Sequence, residues 1–226
     1  MSFMAGDEIS GFSTEIVREI IQRTQTKAKV ELVPWARAYK IASEQANVAL
    51  FTTARTIKRE SLFHWIAPIV GKRWQLFAKS KSNIELNSLD EAKIFDIGVR
   101  YGDARTIFLQ EHGFENLYKV SLNSHSLNML MKDRVQLWAS SDFEAPVIVG
   151  KTRHQYTDVK VAFTLKKIES YLVLSKGTSP AVVKRWQKAY LDMTRDGSIT
   201  RIADKWAQRL DLPLTGEKGV ITFRDY

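Results

Sequence analysis

There is no cysteine among the 226 residues, which removes disulfides, thiolate zinc sites, iron–sulfur clusters and cysteine nucleophiles together. The absence is neutral about compartment, because an oxidising environment permits disulfides without requiring them. No apolar run approaches the ~20 residues that cross a bilayer. The opening MSFMAGDEISGF has neither the basic nor the apolar region of an export signal. His64, His112, His125 and His154 show no HExxH or other metal-ligand spacing. No G-x-S-x-G elbow offers a hydrolase serine, and no GxxxxGK[ST] loop offers a phosphate cradle. Neither a metal, a cofactor nor a catalytic group is expected.

What the chain does have is a formal charge of +9. Such a balance suits nucleic acid or an anionic surface. Lys and Arg are nevertheless spread along the sequence with no run of five or six, and neither zinc-finger spacing nor an RNP-like pattern is present. A basic solvated face accounts for the charge, and no nucleic-acid partner is expected. Paired acids such as Asp90-Glu91 sit in polar stretches of the kind found on solvated helices. The length is ample for a real core, as one large domain or two small ones.

The patterning alternates helix and strand, which points to an α/β fold. Ser13 is read as the N-cap of a first helix carrying Glu15, Ile16, Val17, Ile20 and Ile21. KVELV (29–33) reads as a strand, and Pro34 opens a helix through WARAYKIASEQA. VALFTT (48–53) is short and nearly all apolar, as inside a parallel sheet. After an extended KRWQLFAKS, a second series begins: strand 94–100, a helix over DARTIFLQEH stopped by Gly113, strand LYKVS, helix SLNMLMKDR, strand VQLWASS, a helix over DFEAPVIVGKTR with Pro146 near its start, and strand 159–165. ESYLVLS (169–175) is extended again. Ser179, Pro180 and Gly197 then punctuate a long helix, and SITRIADKWAQRL is the last. Two α/β series joined by two extended segments predict two lobes, the second inserted into the first, with a cleft suited to a small ligand.

Three clusters could carry chemistry. Arg55 and Arg59 follow the strand 48–53, with Thr52, Thr53 and Thr56 alongside. At the carboxyl end of such a strand a guanidinium can grip a carboxylate by two parallel hydrogen bonds; alternatively Arg59 pairs with Glu60 or another nearby acid. Gly102, Asp103, Ala104 and Arg105 form a strand–turn–helix start whose amides suit an anion, or an ordinary turn. Ser140, Ser141 and Asp142 end the strand VQLWASS, where they either face the cleft or cap the next helix. Trp35, Trp65, Trp74 and Trp138 could cover a ligand or fill the core.

The order of segments resembles the family 3 periplasmic solute-binding proteins, the two-lobed amino-acid-binding components of ABC importers, whose fold also recurs in sensor ectodomains. GFSTEIVREI is similar to that family's opening helix. VPWARAYKIA through NVALFTTARTIKRESLFHWIAPI is similar to its T-x-x-R-x-x-x-F-S-x-P stretch. IGVRYGDARTIFLQEHGF is similar to the segment that opens lobe two, and SPAVVKRWQKAYLDMTRDGSITRIADKW to the closing helices. The resemblance implies a type II periplasmic-binding-protein-like fold with two crossing hinge segments, lobe one being 1–76 with 172–226 and lobe two 77–171. It implies a periplasmic location, a small-molecule ligand, closure about the hinge and a membrane permease as partner. It places Arg59 on the arginine that grips the ligand carboxylate, Ala54 on an assisting backbone N–H, Asp103 to Arg105 on the lobe-two helix start, and Trp35 near a covering aromatic. Ser141 falls where the family has the acid that receives the ligand's amino group, with Asp142 next to it. The family's first strand and aromatic-Pro segment have no counterpart before MSFMAGDE, which reads as a truncation or a misplaced start. A sheet without that strand would leave an open edge, a route to dimerisation.

Overall fold

A computed structural model describes residues 2–225. The chain divides into two compact units, Met1–Lys72 with Ile168–Tyr226, and Arg73–Lys167.

The first unit opens on a hairpin of β1 (Phe3–Ala5) and β2 (Glu8–Ser10), in which Met4 lies opposite Ile9. Helix α1 (Phe12–Arg23) follows, and its N-cap is Gly11 rather than Ser13. Gly11 has φ 122°, a conformation open to glycine, and its carbonyl accepts the first helical bond from the Glu15 N–H at 3.0 Å. Starting there lets Phe12 enter the core at once, edge-on to Trp206 with centroids 6.5 Å apart. Ser13 is therefore inside the helix and buried. Phe12, Ile16, Val17 and Ile20 form the buried stripe of α1.

KVELV is not a strand: residues 29–33 belong to no regular element and form no ladder of backbone bonds. Alternating apolar side chains make a strand only where a neighbour supplies the ladder. Helix α2 (Trp35–Glu44) begins directly after Pro34. Strand β3 (Ala49–Ala54) leads to a single turn, α3 (Ile57–Glu60), and then to β4 (Phe63–Lys79), which runs on into the second unit.

In the second unit β5 (Ile97–Arg100), α4 (Ala104–Glu111), β6 (Leu117–Val120), α5 (Asn123–Met131), β7 (Leu137–Ser141) and α6 (Glu144–Val149) alternate as expected. β5 pairs in parallel with β6 and β7, and β7 pairs antiparallel with the second half of β4. The strand order is β4-β7-β5-β6. Every residue of β7 is buried, and its side chains divide by the two-residue period of a strand. Leu137 and Ala139 join Leu76, Ala78, Ile97, Val99 and Leu109 in one cluster. Trp138 joins Phe77, Leu127, Leu130 and Val149 in another.

The chain returns along β8 (Val159–Ser175), a single 17-residue strand where the sequence suggested two extended pieces. Its end pairs with β3, and the pairing is antiparallel, with a bulge between Leu50 and Thr53 where Thr52 takes φ 64°. The expectation of a parallel setting for β3 is corrected accordingly: a buried apolar strand has the same composition in either orientation. Helix α7 (Pro180–Arg195) is capped by Ser179, whose hydroxyl accepts the Val182 N–H. Helix α8 (Ser198–Leu210) buries Ile199, Ala203 and Trp206. The tail then forms β9 (Leu214–Thr215) and β10 (Thr222–Phe223), and Ile221 bridges to Val70 of β4.

Candidate functional site

The first unit builds its candidate site from the end of β3, the turn α3 and the first turns of α2. Arg59 on α3 is only 6% exposed. Its guanidinium lies over the rings of Trp35 (5.5 Å) and Tyr39 (5.0 Å), which sit one turn apart on α2. Nη1 donates to the Ala54 carbonyl at 3.3 Å. No described acid lies within ion-pair distance of it. Glu60, its chain neighbour, is engaged by Arg55, which donates through Nε at 2.9 Å and lies over Trp65 (5.1 Å) and Tyr171 (5.3 Å). The hydrogen bond between Arg55 and Glu60 is the main cause that raises the Arg55 pKa and lowers that of Glu60. The two arginines thus differ: Arg55 is half exposed and matched, Arg59 buried and unmatched.

Thr53 is fully buried, and its hydroxyl has no hydrogen-bond partner among the described residues. Thr52 donates to its own neighbour, the Phe51 carbonyl, at 2.6 Å. Trp35 is half-buried and Ala54 likewise.

The second unit gathers its candidates at the carboxyl ends of β5 and β7. Asp103 is the N-cap of α4. Its Oδ1 accepts the Arg105 backbone N–H and the Arg105 Nε–H, both at 2.9 Å. Its Oδ2 accepts Arg105 Nη2 at 2.9 Å and Arg100 Nη2. A carboxylate has about four lone-pair sites, so Asp103 is saturated by its own chain. Burial by itself would raise its pKa; the Arg105 and Arg100 charges and these hydrogen bonds hold it well below the usual carboxylate range.

Arg105 is 3% exposed and also donates through Nη2 to Glu144 Oε2 at 2.7 Å. Glu144 Oε2 further accepts Asn123 Nδ2 at 3.2 Å, and Asn123 Oδ1 accepts the Trp138 indole N–H at 2.7 Å. Ala104 is the half-buried first residue of α4. Ser141 is wholly buried, with its hydroxyl accepting the Glu144 N–H at 3.2 Å, and Ser140 accepts Asn123 Nδ2 at 3.3 Å. Asp142 turns its Oδ1 onto the backbone N–H groups of Arg73 (3.1 Å) and Phe143 (2.9 Å).

Tyr39, Arg100, Asn123 and Glu144 complete these clusters without having been singled out in the sequence. For Tyr39 the signal was present, since an aromatic four residues after Trp35 shares its helix face. For Arg100 it was the position at the carboxyl end of a strand. Asn123 and Glu144 reach the cluster through the fold, and nothing local marks them. No group of three or more His, Asp or Glu among the described residues could hold a metal ion. Chemically, the first cluster can bind an oxyanion against an aromatic wall, while the second is an internally neutralised ionic network.

An α/β chain traversed by two long strands, with its charged side chains gathered at strand ends, has the architecture of the periplasmic-binding-protein class. The chain belongs to the bacterial extracellular solute-binding proteins, family 3, whose model matches residues 1–209. It is 24% identical over 208 residues to the amino-acid-binding protein AabA of Dichelobacter nodosus, covering 87% of this chain and 79% of that protein. Its fold matches a histidine kinase sensor domain with similarity to periplasmic binding proteins (TM-score 0.83, 14% identity, 91% of this chain and 90% of that one). It also matches the arginine-, lysine-, histidine-binding protein ArtJ of Geobacillus stearothermophilus (TM-score 0.78, 14% identity, 93% and 94%). No described helix is long and apolar enough to cross a membrane.

Proposed function

We propose that this solute-binding protein captures a small carboxylate-bearing molecule outside the cytoplasm, with Arg59 gripping the carboxylate and Trp35 covering its apolar part. Amino acids, the ligands named for AabA and ArtJ, are the first class to test. The observation that carries the reading is the Arg59 guanidinium, buried over two aromatic rings with no acid among the described residues to match it. A desolvated, uncompensated charge is costly, and an anionic ligand would repay that cost with a bidentate pair. Ala54 and Thr53 at the end of β3, and Asp103, Ala104, Arg105, Ser141 and Asp142 in the second unit, are the further proposed contacts. Capture would couple to closure of two lobes, 1–76 with 172–226 and 77–171, by a shift of an open–closed equilibrium. The closed form would be presented to the permease of an ABC-type importer. Sensing is the second reading, supported by the fold shared with a kinase sensor domain. Isothermal titration of an amino-acid and carboxylate panel tests the proposal: Arg59→Ala should abolish binding with the circular dichroism spectrum unchanged. Undiminished affinity in that variant would sink it.

A further inference from the structure

We infer that Tyr39 is a positioning residue of the first unit's site: its ring, seated on the core through Phe63, holds the Arg59 guanidinium in the orientation that meets a ligand. The inference rests on the proposed capture at Arg59 and concerns residues of the first unit alone.

A guanidinium grips a carboxylate through a planar fork of two parallel hydrogen bonds, so affinity depends on where that fork points. An arginine side chain is long and rich in rotamers, and fixing it beforehand removes an ordering cost from binding. Arg105 in the second unit is fixed by acids, Asp103 and Glu144. Arg59 has no described acid to fix it, and its bond from Nη1 to the Ala54 carbonyl is long at 3.3 Å. An ion pair would also neutralise the charge a carboxylate needs. An aromatic face avoids that loss: the ring quadrupole attracts the cation without occupying its N–H donors.

Two rings hold Arg59, and they differ in what stands behind them. Trp35 is the half-buried first residue of α2, and its aromatic neighbour is Tyr39, at 6.0 Å and 37°. Tyr39 lies one turn further along the same face and nearer to the guanidinium, at 5.0 Å against 5.5 Å. Its ring meets Phe63 edge-on, with centroids 5.8 Å apart and planes at 72°. Phe63 is 1% exposed, and with Ala42, Leu50 and Val173 it forms the buried cluster against which Tyr39 packs. A chain of contacts therefore runs from the core through Phe63 and Tyr39 to Arg59. The side-chain contacts described for Tyr39 are made by its ring, so the role belongs to the ring and not to the hydroxyl. Tyr39 orients the arginine, whereas Trp35 is left to cover the ligand.

The test follows the Arg59 side-chain Nε–H signal by NMR in the full chain, assigned by its loss in Arg59→Ala. Ring currents should displace that signal in the wild type and in Tyr39→Phe, and Tyr39→Leu should move it toward the position of a solvated arginine. Leucine, phenylalanine, glutamate, arginine and acetate are then titrated into the same proteins. Tyr39→Phe should keep affinity within about two-fold, and Tyr39→Leu should lose about ten-fold or more, with its circular dichroism spectrum unchanged. A wild-type signal at the solvated position would overturn the inference whether or not Tyr39→Leu folds. Full affinity in Tyr39→Leu, beside its loss in Arg59→Ala, would overturn the inference and leave the carboxylate reading in place. Equal losses in Tyr39→Phe and Tyr39→Leu would do the same, because the hydroxyl and not the ring would then act. Binding that survives Arg59→Ala, or no binding of any of these acids, would overturn that reading and the inference with it.

Discussion

Arg59 in the first unit and Arg105 in the second are both buried arginines close to the carboxyl end of a strand, and from sequence they look interchangeable. Arg105 is tied to Asp103 by two side-chain bonds and to Glu144 by a third, so its charge is spent inside the protein. Arg59 rests on two rings and a carbonyl, with its charge unmatched. Burial alone does not separate a structural arginine from a recognising one; the local balance of charge does. The charges of one cluster are matched within the second unit, whereas Arg59 has no described acid within ion-pair distance, which is what supports the proposal that it meets a ligand.

The largest expected effect tests the structural half. Arg105→Ala removes the Arg105 charge from buried Asp103, which keeps only Arg100, and from half-buried Glu144, and removing one partner of a buried pair costs about 3–5 kcal/mol. Urea unfolding should show a loss of that size, and a loss under 1 kcal/mol would mean the network is not structural.

Arg59→Lys probes the other half. A lysine retains the charge but lacks the planar fork, so ligand affinity should fall roughly ten- to hundred-fold, about 1.4–2.8 kcal/mol, with the urea midpoint barely moved. A large midpoint shift with intact affinity would exchange the roles of the two arginines.

Acid should reach the second unit through Asp103. Its folded pKa lies below the unfolded value of about 3.9. Its contribution is therefore complete above that value and is lost as pH falls from there toward the folded pKa. Asp103→Asn should flatten the acid limb of the stability curve below about pH 4 and leave the neutral-pH slope alone. An unchanged acid limb would contradict the ion-pair assignment.

The smallest effect belongs to Arg55. Its pair with Glu60 is exposed, and exposed pairs contribute about 0–1 kcal/mol. Arg55→Ala should thus change stability by no more than about 1 kcal/mol and should not abolish binding, which a melting curve and a titration both check.

Much of the fold was legible where local chemistry and tertiary packing agree. Ser179-Pro180 marks α7 because a hydroxyl cap and a preset φ act within one turn. VQLWASS marks β7 because Leu137, Trp138 and Ala139 make the unbroken apolar run of a strand covered on both faces, while its two buried serines are satisfied by hydrogen bonds from Asn123 and the Glu144 N–H. The hairpin at residues 3–10 was missed, though its Gly6-Asp7 loop between apolar residues is a turn signal. β4 was read short because Pro68 lies inside it. Proline weakens a strand assignment by withholding a donor, yet its carbonyl still accepts, here from the Tyr190 hydroxyl. The site was legible as residue types at strand ends. Which arginine has an acid beside it depends on a helix cap and on Glu144, 39 positions from Arg105 in the chain, so charge matching could be read only from the fold.

The most direct test of the account is thermal unfolding of the wild type and Arg59→Ala with the same carboxylate panel. Ligand at ~100 times its dissociation constant should stabilise the wild type by about 2.7 kcal/mol and leave the variant's melting temperature where it stood. Equal stabilisation of both proteins, or none of the wild type by any carboxylate, would contradict the assignment of Arg59 as the residue that receives the ligand.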